Sequence, residues 1–287
     1  MTLFGINDLK RHGWTPVFLY SANSSVICCE FKIYSIMARQ TGIIKLKGTI
    51  GDISFYKTSD GHLAREKGGI DKSRMANDPA FQRTRENGSE FGRAGKGGKL
   101  VRSAIRILLL NAKDKRVVSR LTTDLLKVVK TDAINERGMR TIEDGSMGIL
   151  SGFDFNTNGK LGSTLFAAYS NDFDRVTGVA SVNIPSFSPS VRIAAPAGTT
   201  HFKIVTGASE LDFAGETSTF ENDETGILPY DSADTGIVDF VSALTPNSVL
   251  PVIQVLGVEF YQEVNGQMYP LKNGAYNALA VVYVDTI

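Results

Sequence analysis

The sequence predicts an α+β protein with an N-terminal β-hairpin, a helical middle section and a C-terminal antiparallel β-sandwich. Three observations support this prediction: an Asp-Gly turn between two alternating runs, apolar stripes at helical spacing, and many short apolar runs separated by Gly, Pro, Asn and Asp. We therefore expect a basic hairpin and helical domain at 37–148 and an acidic β-sandwich domain at 149–287. Residues 1–36 are expected to be an extension.

The extension at residues 1–36 contains both cysteines, Cys28 and Cys29, and the single tryptophan of the chain. We interpret it as a segment that is not native or as a weak signal sequence, because polar residues interrupt its apolar part and no clear cleavage site follows. Adjacent cysteines are too close for ordinary disulfide geometry. Since no cysteine follows Met37, the redox compartment stays undetermined.

A hairpin is predicted where the run Ile53–Lys57 meets a turn and then the run His62–Arg65. Asp60 and Gly61 form the turn, since Asp-Gly between alternating runs favours the positive φ that tight hairpin turns need. A unit of two or three strands is too small to be stable alone, so we expect it to pack against this chain or another. Its candidate site residues are Phe55, Tyr56, Asp60, Gly61 and Arg65.

Three helices are predicted in the middle section. The first begins after Asp78, a helix cap followed by proline, and is expected to end near 88–92 because the glycine-rich run GRAGKGGK breaks the pattern. That run resembles a phosphate-binding loop but lacks the final Ser or Thr, so we interpret it as a flexible basic linker. The second helix is expected at 99–111 and the third at 114–130.

From Ile149 onward the chain is expected to be mostly strand, because short apolar runs alternate with turn residues. The sequence Val264-Asn265-Gly266-Gln267 predicts a tight hairpin, since Asn and Gly both accept positive φ. Strands at this spacing are typical of a β-sandwich or barrel. The predicted strands lie at 152–155, 163–169, 178–184, 191–194, 201–207, 237–243, 251–264, 267–271 and 279–284.

The net charge of +1 is the sum of two strongly charged halves. Residues 37–140 carry 23 Lys and Arg against 11 Asp and Glu, whereas residues 141–287 carry 5 against 17. Opposed charges favour association of the two halves, and a nucleic-acid partner is disfavoured because the acidic half repels a polyanion. The residues expected to form a basic assembly surface are Lys96, Lys99, Arg102, Arg106, Lys113, Lys115, Arg116 and Arg120.

Asp154, Asn156 and Asn158 have the spacing that opens a calcium-binding loop, with Gly159 at the sixth position. Leu165 stands at position twelve, where a bidentate Glu is needed, so an Asx turn explains the same residues. We therefore expect no cofactor and keep calcium at the first three residues as the alternative. The chain shows no nucleophile-elbow motif, which favours a protein that is not an enzyme.

Three segments resemble an uncharacterised family found widely in Bacteroidota. They are GTIGDISFYKTSDGHLAREKGG (48–69), NDPAFQRTRENGSEFG (77–92) and YPLKNGAYNALAVVYV (269–284). In that family the chain starts at the residue matching Met37, so the resemblance implies the same start here. The resemblance covers most of the chain from that residue onward and implies no activity and no catalytic residue.

The function predicted from these features is that of a non-enzymatic structural protein that assembles into homo-oligomers such as filaments. The hairpin can add a strand to a neighbour's sheet edge. The alternatives are nucleic-acid binding and a glycan-binding β-sandwich, with aromatic contacts from Phe187, Tyr230, Tyr261, Tyr269 or Tyr276. No apolar run is long enough to span a bilayer as a helix. The compartment is undetermined, with an extracellular or cell-surface location favoured over the cytoplasm.

Overall fold

The structure, a computed structural model, describes residues 37–58, 60–66, 70–112 and 114–286. It confirms the predicted α+β class, with helices, several antiparallel sheets and a curled C-terminal sheet. The chain divides into two compact units, one up to Lys72 and one from Ser73 onward. The extension predicted at 1–36 lies outside the described residues.

The first unit contains the strands β1 (Met37–Arg39), β2 (Gly48–Ile50), β3 (Ile53–Thr58) and β4 (Gly61–Glu66). They form an antiparallel sheet in the order β1-β4-β3-β2, which we call the N-terminal sheet. The predicted hairpin is its centre, where Phe55 lies opposite Ala64 and Tyr56 lies opposite Leu63. β2 joins the other side of β3 through a turn in which Gly51 has a φ of 56°.

The described helices are α1 (Lys72–Asn77), α2 (Gln82–Ala104), α3 (Arg106–Leu109), α4 (Val117–Thr131), α5 (Leu161–Thr164) and α6 (Pro189–Arg192). The predicted third helix is confirmed as α4, and its apolar stripe is buried, including Leu121 and Leu125. The predicted break between the first two helices is wrong, because α2 runs uninterrupted through the glycine-rich segment that we interpreted as a linker. None of the described helices is long and apolar enough to cross a bilayer.

The glycine-rich segment stays helical because two of its four glycines, Gly97 and Gly98, lie against packed neighbours. A Cβ on Gly97 would lie 2.2 Å from Ile142 Cδ1 and 3.3 Å from the ring of Phe213, and a Cβ on Gly98 would lie 3.4 Å from Leu125 Cδ1. Glycine therefore lets α2 lie close to α4 and to the segments around it. This packing outweighs the low helix propensity of glycine, which costs about 1 kcal/mol per residue relative to alanine.

The second unit contains the strands β5 (Ser170–Asp174), β6 (Val179–Ile184), β7 (His201–Asp212), β8 (Thr217–Glu224), β9 (Leu228–Pro229), β10 (Val238–Ala243), β11 (Val252–Val264), β12 (Gln267–Pro270) and β13 (Ala278–Asp285). The smaller sheet has the order β10-β6-β5. The larger sheet has the order β12-β11-β7-β8, with β13 paired to β11 and β9 paired to β7. The predicted turn joins β11 to β12, and Asn265 and Gly266 have φ values of 52° and 76°.

The larger sheet is covered on both faces. Adjacent residues of β7 show this, because Ile204 lies in the core between the two sheets and Val205 lies in the core under α2 and α4. Leu256 and Val255 of β11 divide in the same way. Burial on both faces explains why 252–260 is a nearly continuous buried run rather than an alternating one.

The helices and the sandwich share one core, so the observed boundary between compact units differs from the one expected from the sequence. Because α2 and α4 pack on β7, β11 and β13, the helices and the sandwich belong to one compact unit. The boundary between compact units therefore lies after Lys72, whereas the sequence suggested a division after residue 148. Residues 73–140 of the basic half and the acidic half are accordingly joined within the second unit.

In the second unit three predicted strands are wrong, and three observed strands, β5, β8 and β9, were not predicted. The segment 152–155 forms an isolated bridge between Asp154 and Ala280. The segments 163–169 and 191–194 overlap the short helices α5 and α6, and a single bridge between Leu165 and Ile193 joins them. Phe155, Leu165 and Ile193 are buried there without forming a strand, whereas Phe166 and Val191 are exposed. The strands β5 and β8 were missed because most of their residues are exposed, which leaves no apolar alternation in the sequence.

Candidate assembly surfaces

The N-terminal sheet has no core among its described side chains. From Ala38 to Glu66, none of the described residues is buried. Ile50, Ile53 and Phe55 lie on one face, because Ile50 is paired with Ile53 and Phe55 follows two positions along β3. Ile50 is 62% exposed and Ile53 is 46% exposed. We call this surface of Ile50, Ile53 and Phe55 the open face.

The five predicted hairpin residues lie on two faces and at the turn. Phe55 belongs to the open face. Tyr56 and Arg65 lie on the opposite face, where the Arg65 guanidinium carbon is 5.4 Å from the centroid of the Tyr56 ring. Asp60 and Gly61 lie at the turn, where Gly61 adopts a φ of 116°. The structure thus places one predicted residue on the open face, while the other four shape the hairpin.

The loop between β1 and β2 exposes apolar side chains on a hydrogen-bonded frame. Gln40 Nε2 donates to the carbonyl oxygens of Leu46 at 3.3 Å and Leu63 at 3.0 Å, and Gln40 Oε1 accepts from Leu46 N at 2.9 Å. Ile43 is 101% exposed and Ile44 is 80% exposed. Gln40 therefore fixes the base of a loop whose apolar tip is uncovered.

Two of the predicted basic residues, Lys96 and Arg120, form ion pairs within the chain, and a third, Arg102, is half-buried. Lys96 Nζ donates to Glu216 Oε1 at 2.7 Å, and this bond is the main cause of the lowered pKa of Glu216. Arg120 Nη2 pairs with Asp114 Oδ2 at 2.6 Å. Burial lowers the pKa of Arg102, whose Nη1 has no hydrogen-bond partner among the described residues. These contacts use part of the basic charge to join segments of one chain.

The remaining predicted basic residues lie along the path from α2 to α4. Lys99, Arg106, Lys115 and Arg116 are exposed, and Lys113 lies outside the described residues. These four and the paired but exposed Lys96 are the described side chains of the predicted basic surface that face solvent. Since these four come from α2, α3 and the loop before α4, they follow the chain rather than one helix face.

The residues considered for calcium form a structural turn. Asn156 is 1% exposed, and its Nδ2 donates to Asn277 O at 2.8 Å while its Oδ1 accepts from Asn158 N at 3.1 Å. Asp154 Oδ1 accepts from Leu161 N at 3.0 Å, and burial raises the pKa of Asp154. In the part of the chain that the structure describes, no cluster of three or more His, Cys, Asp or Glu is arranged to hold a metal. The contacts favour the Asx-turn interpretation, and calcium stays a prediction.

Strand β8 forms an acidic edge of the larger sheet. It pairs with β7 on one side and with no other described strand on its other side. Glu221 and Glu224 are exposed. At its far end β10 approaches, and Val241 N donates to Asp223 Oδ2 at 3.3 Å. The uncovered part of the edge is therefore 217–222, which we call the acceptor edge.

The backbone of the acceptor edge has hydrogen-bonding groups that point outward. Just beyond β8, Thr225 N donates to Ile204 O at 2.9 Å, which marks a hydrogen-bonded pair in the ladder with β7. Such pairs alternate with pairs that do not bond to each other. Ser218, Phe220 and Asn222 therefore direct their N–H and C=O groups away from β7. This is the geometry that an incoming strand needs.

A polar network fastens the end of β8 to the sheet. Lys203 Nζ donates to Glu224 Oε2 at 2.9 Å and lies 3.5 Å from Glu259 Oε2. Desolvation opposes the charge of Lys203, but Glu224 and Glu259 outweigh it and raise the pKa of Lys203. Tyr261 donates to Glu259 Oε2 at 2.6 Å, and burial together with this bond raises the pKa of Tyr261 to about 12. Both groups keep their protons at neutral pH, which suits a structural network.

The aromatic residues considered for glycan binding are divided between the interior and the surface. Phe187 lies in the core between the sheets. The hydroxyl of Tyr230 donates to Ile193 O at 3.0 Å. Tyr261 is engaged by the network described above. Tyr269 and Tyr276 are exposed, at 55% and 41%.

Comparison with known proteins gives no relative from which a role can be transferred. No protein-family model matches the chain, and no curated protein matches it. The relation to the Bacteroidota family therefore stays a prediction, and the functional argument depends on the geometry of the surfaces above.

Proposed function

We propose that this protein is a non-enzymatic structural subunit that assembles with further copies of itself through its N-terminal sheet. The observation that supports the proposal most is the open face, where Ile50, Ile53 and Phe55 lie on a sheet without a buried side chain among those described. An extracellular or cell-surface location is part of the proposal.

Burial of the open face supplies the stabilisation that the N-terminal sheet lacks. Complete burial of one isoleucine or phenylalanine side chain is worth about 1.5–3 kcal/mol. A small sheet without a packed face is at most marginally stable in water. Ile43 and Ile44 of the neighbouring loop add two further exposed side chains to the same unit. A partner that covers these residues therefore stabilises the sheet and is itself bound by it.

Charge favours a second copy as that partner. Residues 37–140 carry 23 basic against 11 acidic residues, and residues 141–287 carry 5 against 17. Each copy thus offers both a basic and an acidic surface, and complementary surfaces steer association and fix its register. Lys96 and Glu216 show that the two halves can pair directly, at 2.7 Å within one chain.

The test is the mass of the full chain in solution, measured by size-exclusion chromatography with light scattering. We expect oligomers whose mass rises with protein concentration and falls above about 0.5 M salt, where the screening length is only a few ångströms. The variant Ile50→Ser with Ile53→Ser is expected to be monomeric. Val176→Ser is the matched control, since Val176 is 68% exposed in the second unit. A monomeric wild type at every concentration and salt level would refute the proposal.

The two alternatives stay predictions. A glycan array without hits would remove the sandwich lectin alternative, for which Tyr269 and Tyr276 are the exposed candidates. A mobility shift with duplex DNA that is abolished by charge reversal at Lys115 and Arg116 would instead favour nucleic-acid binding.

A further inference from the structure

We propose that strand β2 of one copy adds to the acceptor edge of a second copy, so that the N-terminal sheet continues the neighbour's larger sheet. This inference rests on the proposed self-association and names the two surfaces that meet. We call Lys47–Ile50 the donor segment. The contact is heterologous, since the donor segment and the acceptor edge are different surfaces.

The donor segment has an unpaired outer edge. β2 lies at the end of the order β1-β4-β3-β2, where it pairs with β3 and with no other strand of the described residues. Ile50 and Ile53 are paired across a two-residue turn, and in such a hairpin the closing pair is hydrogen-bonded. The next residue, Thr49, therefore directs its N–H and C=O groups away from β3. Lys47, two positions earlier, follows the same alternation in an extended chain.

The acceptor edge offers the complementary backbone groups. Ser218, Phe220 and Asn222 direct their amides and carbonyls away from β7, as derived above from the ladder. Addition of the donor segment would pair these groups with those of Thr49 and Lys47. Main-chain hydrogen bonds of this kind supply affinity in strand addition.

The charges on the two edges select this pairing over a symmetric one. Side chains alternate between faces along a strand, so Glu221 and Glu224 lie on opposite faces of β8. Either orientation of the donor segment therefore brings Lys47 near a carboxylate. Two acceptor edges would instead repel each other, because like charges on facing strands are unfavourable.

A proline at each edge tests the inference directly. Thr49→Pro removes the outward N–H of the donor segment, and Asn222→Pro removes one from the acceptor edge. Proline is tolerated at such positions because the lost N–H does not bond within the sheet. The matched controls are Thr49→Ala and Asn222→Ala, which remove the same side chains and keep the amides.

We expect each proline variant alone to be monomeric, with an apparent dissociation constant at least about tenfold higher than that of its alanine control. A mixture of the two proline variants is expected to form a 1:1 dimer and nothing larger. In that mixture the intact donor segment of Asn222→Pro meets the intact acceptor edge of Thr49→Pro. Formation of this dimer also shows that both variants are folded.

The outcomes separate this inference from the proposed function. If both proline variants keep the wild-type mass while Ile50→Ser with Ile53→Ser is monomeric, self-association stands and strand addition is wrong. If Thr49→Pro is monomeric but Asn222→Pro assembles like its control, the donor segment is correctly assigned but it does not bind at the acceptor edge. If the wild type is monomeric throughout, both proposals are wrong.

Discussion

The two compact units contain strands of similar character but differ in what covers them. In the larger sheet, Phe202 and Ile204 are 0% exposed and have helices or a second sheet around them. In the N-terminal sheet, Ile50 and Ile53 are 62% and 46% exposed. The difference teaches that turn signals suffice to specify strands and their register, whereas the burial that stabilises them depends on separate parts of the chain or on another chain.

The comparison has a direct bearing on function. A sheet face that is fully covered within its own chain is closed to a partner, and its residues serve stability, whereas the edge of the same sheet at 217–222 stays uncovered. A sheet that is specified locally and left uncovered is suited to binding. Four changes are given in order of decreasing expected effect; the first tests this division, and the other three test contacts that stabilise the second unit.

The largest effect is expected from truncating one phenylalanine in each sheet. Phe202→Ala should lower the free energy of unfolding by about 3–5 kcal/mol, because it leaves a cavity in a closed core. Phe55→Ala should lower it by less than about 1 kcal/mol in the monomer, because its surroundings are partly solvent. Urea denaturation followed by circular dichroism, at a concentration where light scattering reports a monomer, measures both. Equal decreases in the free energy of unfolding for Phe202→Ala and Phe55→Ala would contradict the difference in coverage between the two sheets.

The second effect concerns Asp132, which organises the loop after α4. Its Oδ1 accepts from Ile134 N at 2.8 Å and from Asn135 N at 3.0 Å, and its Oδ2 accepts from Thr141 N at 2.8 Å. Burial alone would raise the pKa of Asp132, but these bonds outweigh it and the pKa is lowered. Asp132→Asn should lower the free energy of unfolding by about 2–3 kcal/mol at neutral pH. The reason is that the side-chain NH2 of asparagine would face backbone N–H groups, which are also donors.

The same residue predicts a pH dependence. A carboxylate with a folded-state pKa below its unfolded value of about 3.9 stabilises the protein above that pH, and the contribution is lost as the pH falls through the lower value. Wild-type stability should therefore decrease from about pH 5 downward, and Asp132→Asn should show a smaller decrease. Asp234→Asn, at an exposed position, is the control and should behave like wild type. Parallel pH profiles for wild type and Asp132→Asn would contradict the assignment.

The third effect compares two glycines on α2. Gly97→Ala should destabilise by about 1–3 kcal/mol, because the new Cβ meets the packed side chain of Ile142. Gly95→Ala is its control and should be neutral or stabilising by up to about 1 kcal/mol, since helix propensity improves. No atom lies within 4 Å of a Cβ at Gly95. Thermal unfolding of both variants would show opposite shifts, and equal shifts would mean that the close packing of α2 is not what keeps the segment helical.

The smallest effect is expected at the exposed pair of Lys96 and Glu216. Their side chains are 72% and 58% exposed, so their coupling should stay within the small range typical of exposed ion pairs and should decrease with salt. A double-mutant cycle with Lys96→Ala and Glu216→Ala measures the coupling. A larger value would show that the two charged halves are matched mainly within one chain, which would weaken the argument for matching between copies.

Much of the fold could be predicted from local signals. Gly61 and the pair Asn265-Gly266 adopt the positive φ that their types favour, and they fix two hairpins. Leu121 and Leu125 lie on a stripe whose spacing alone defines α4. In each case the deciding interaction lies within a few residues, so the sequence contains it.

The parts that could not be predicted depend on distant contacts. At Gly97 the packing of Ile142 and Phe213 beside the helix outweighs the low helix propensity of glycine. The acceptor edge could not be predicted from the sequence, because nearly every residue of β8 is exposed and the strand therefore has no apolar alternation. The sequence placed Lys96 and Arg120 on a basic surface, but their partners Glu216 and Asp114 are known only from the tertiary structure.

The double coverage of the larger sheet has a consequence for synthesis on the ribosome. β11 contributes to the cores on both sides of that sheet, yet its first residue is made more than 100 residues after the end of α4. At about 5–20 residues per second, the buried stripe of α4 waits on the order of ten seconds for its cover. During that interval the emerging chain displays the apolar stripe of an amphipathic helix, which is the kind of surface that chaperones bind.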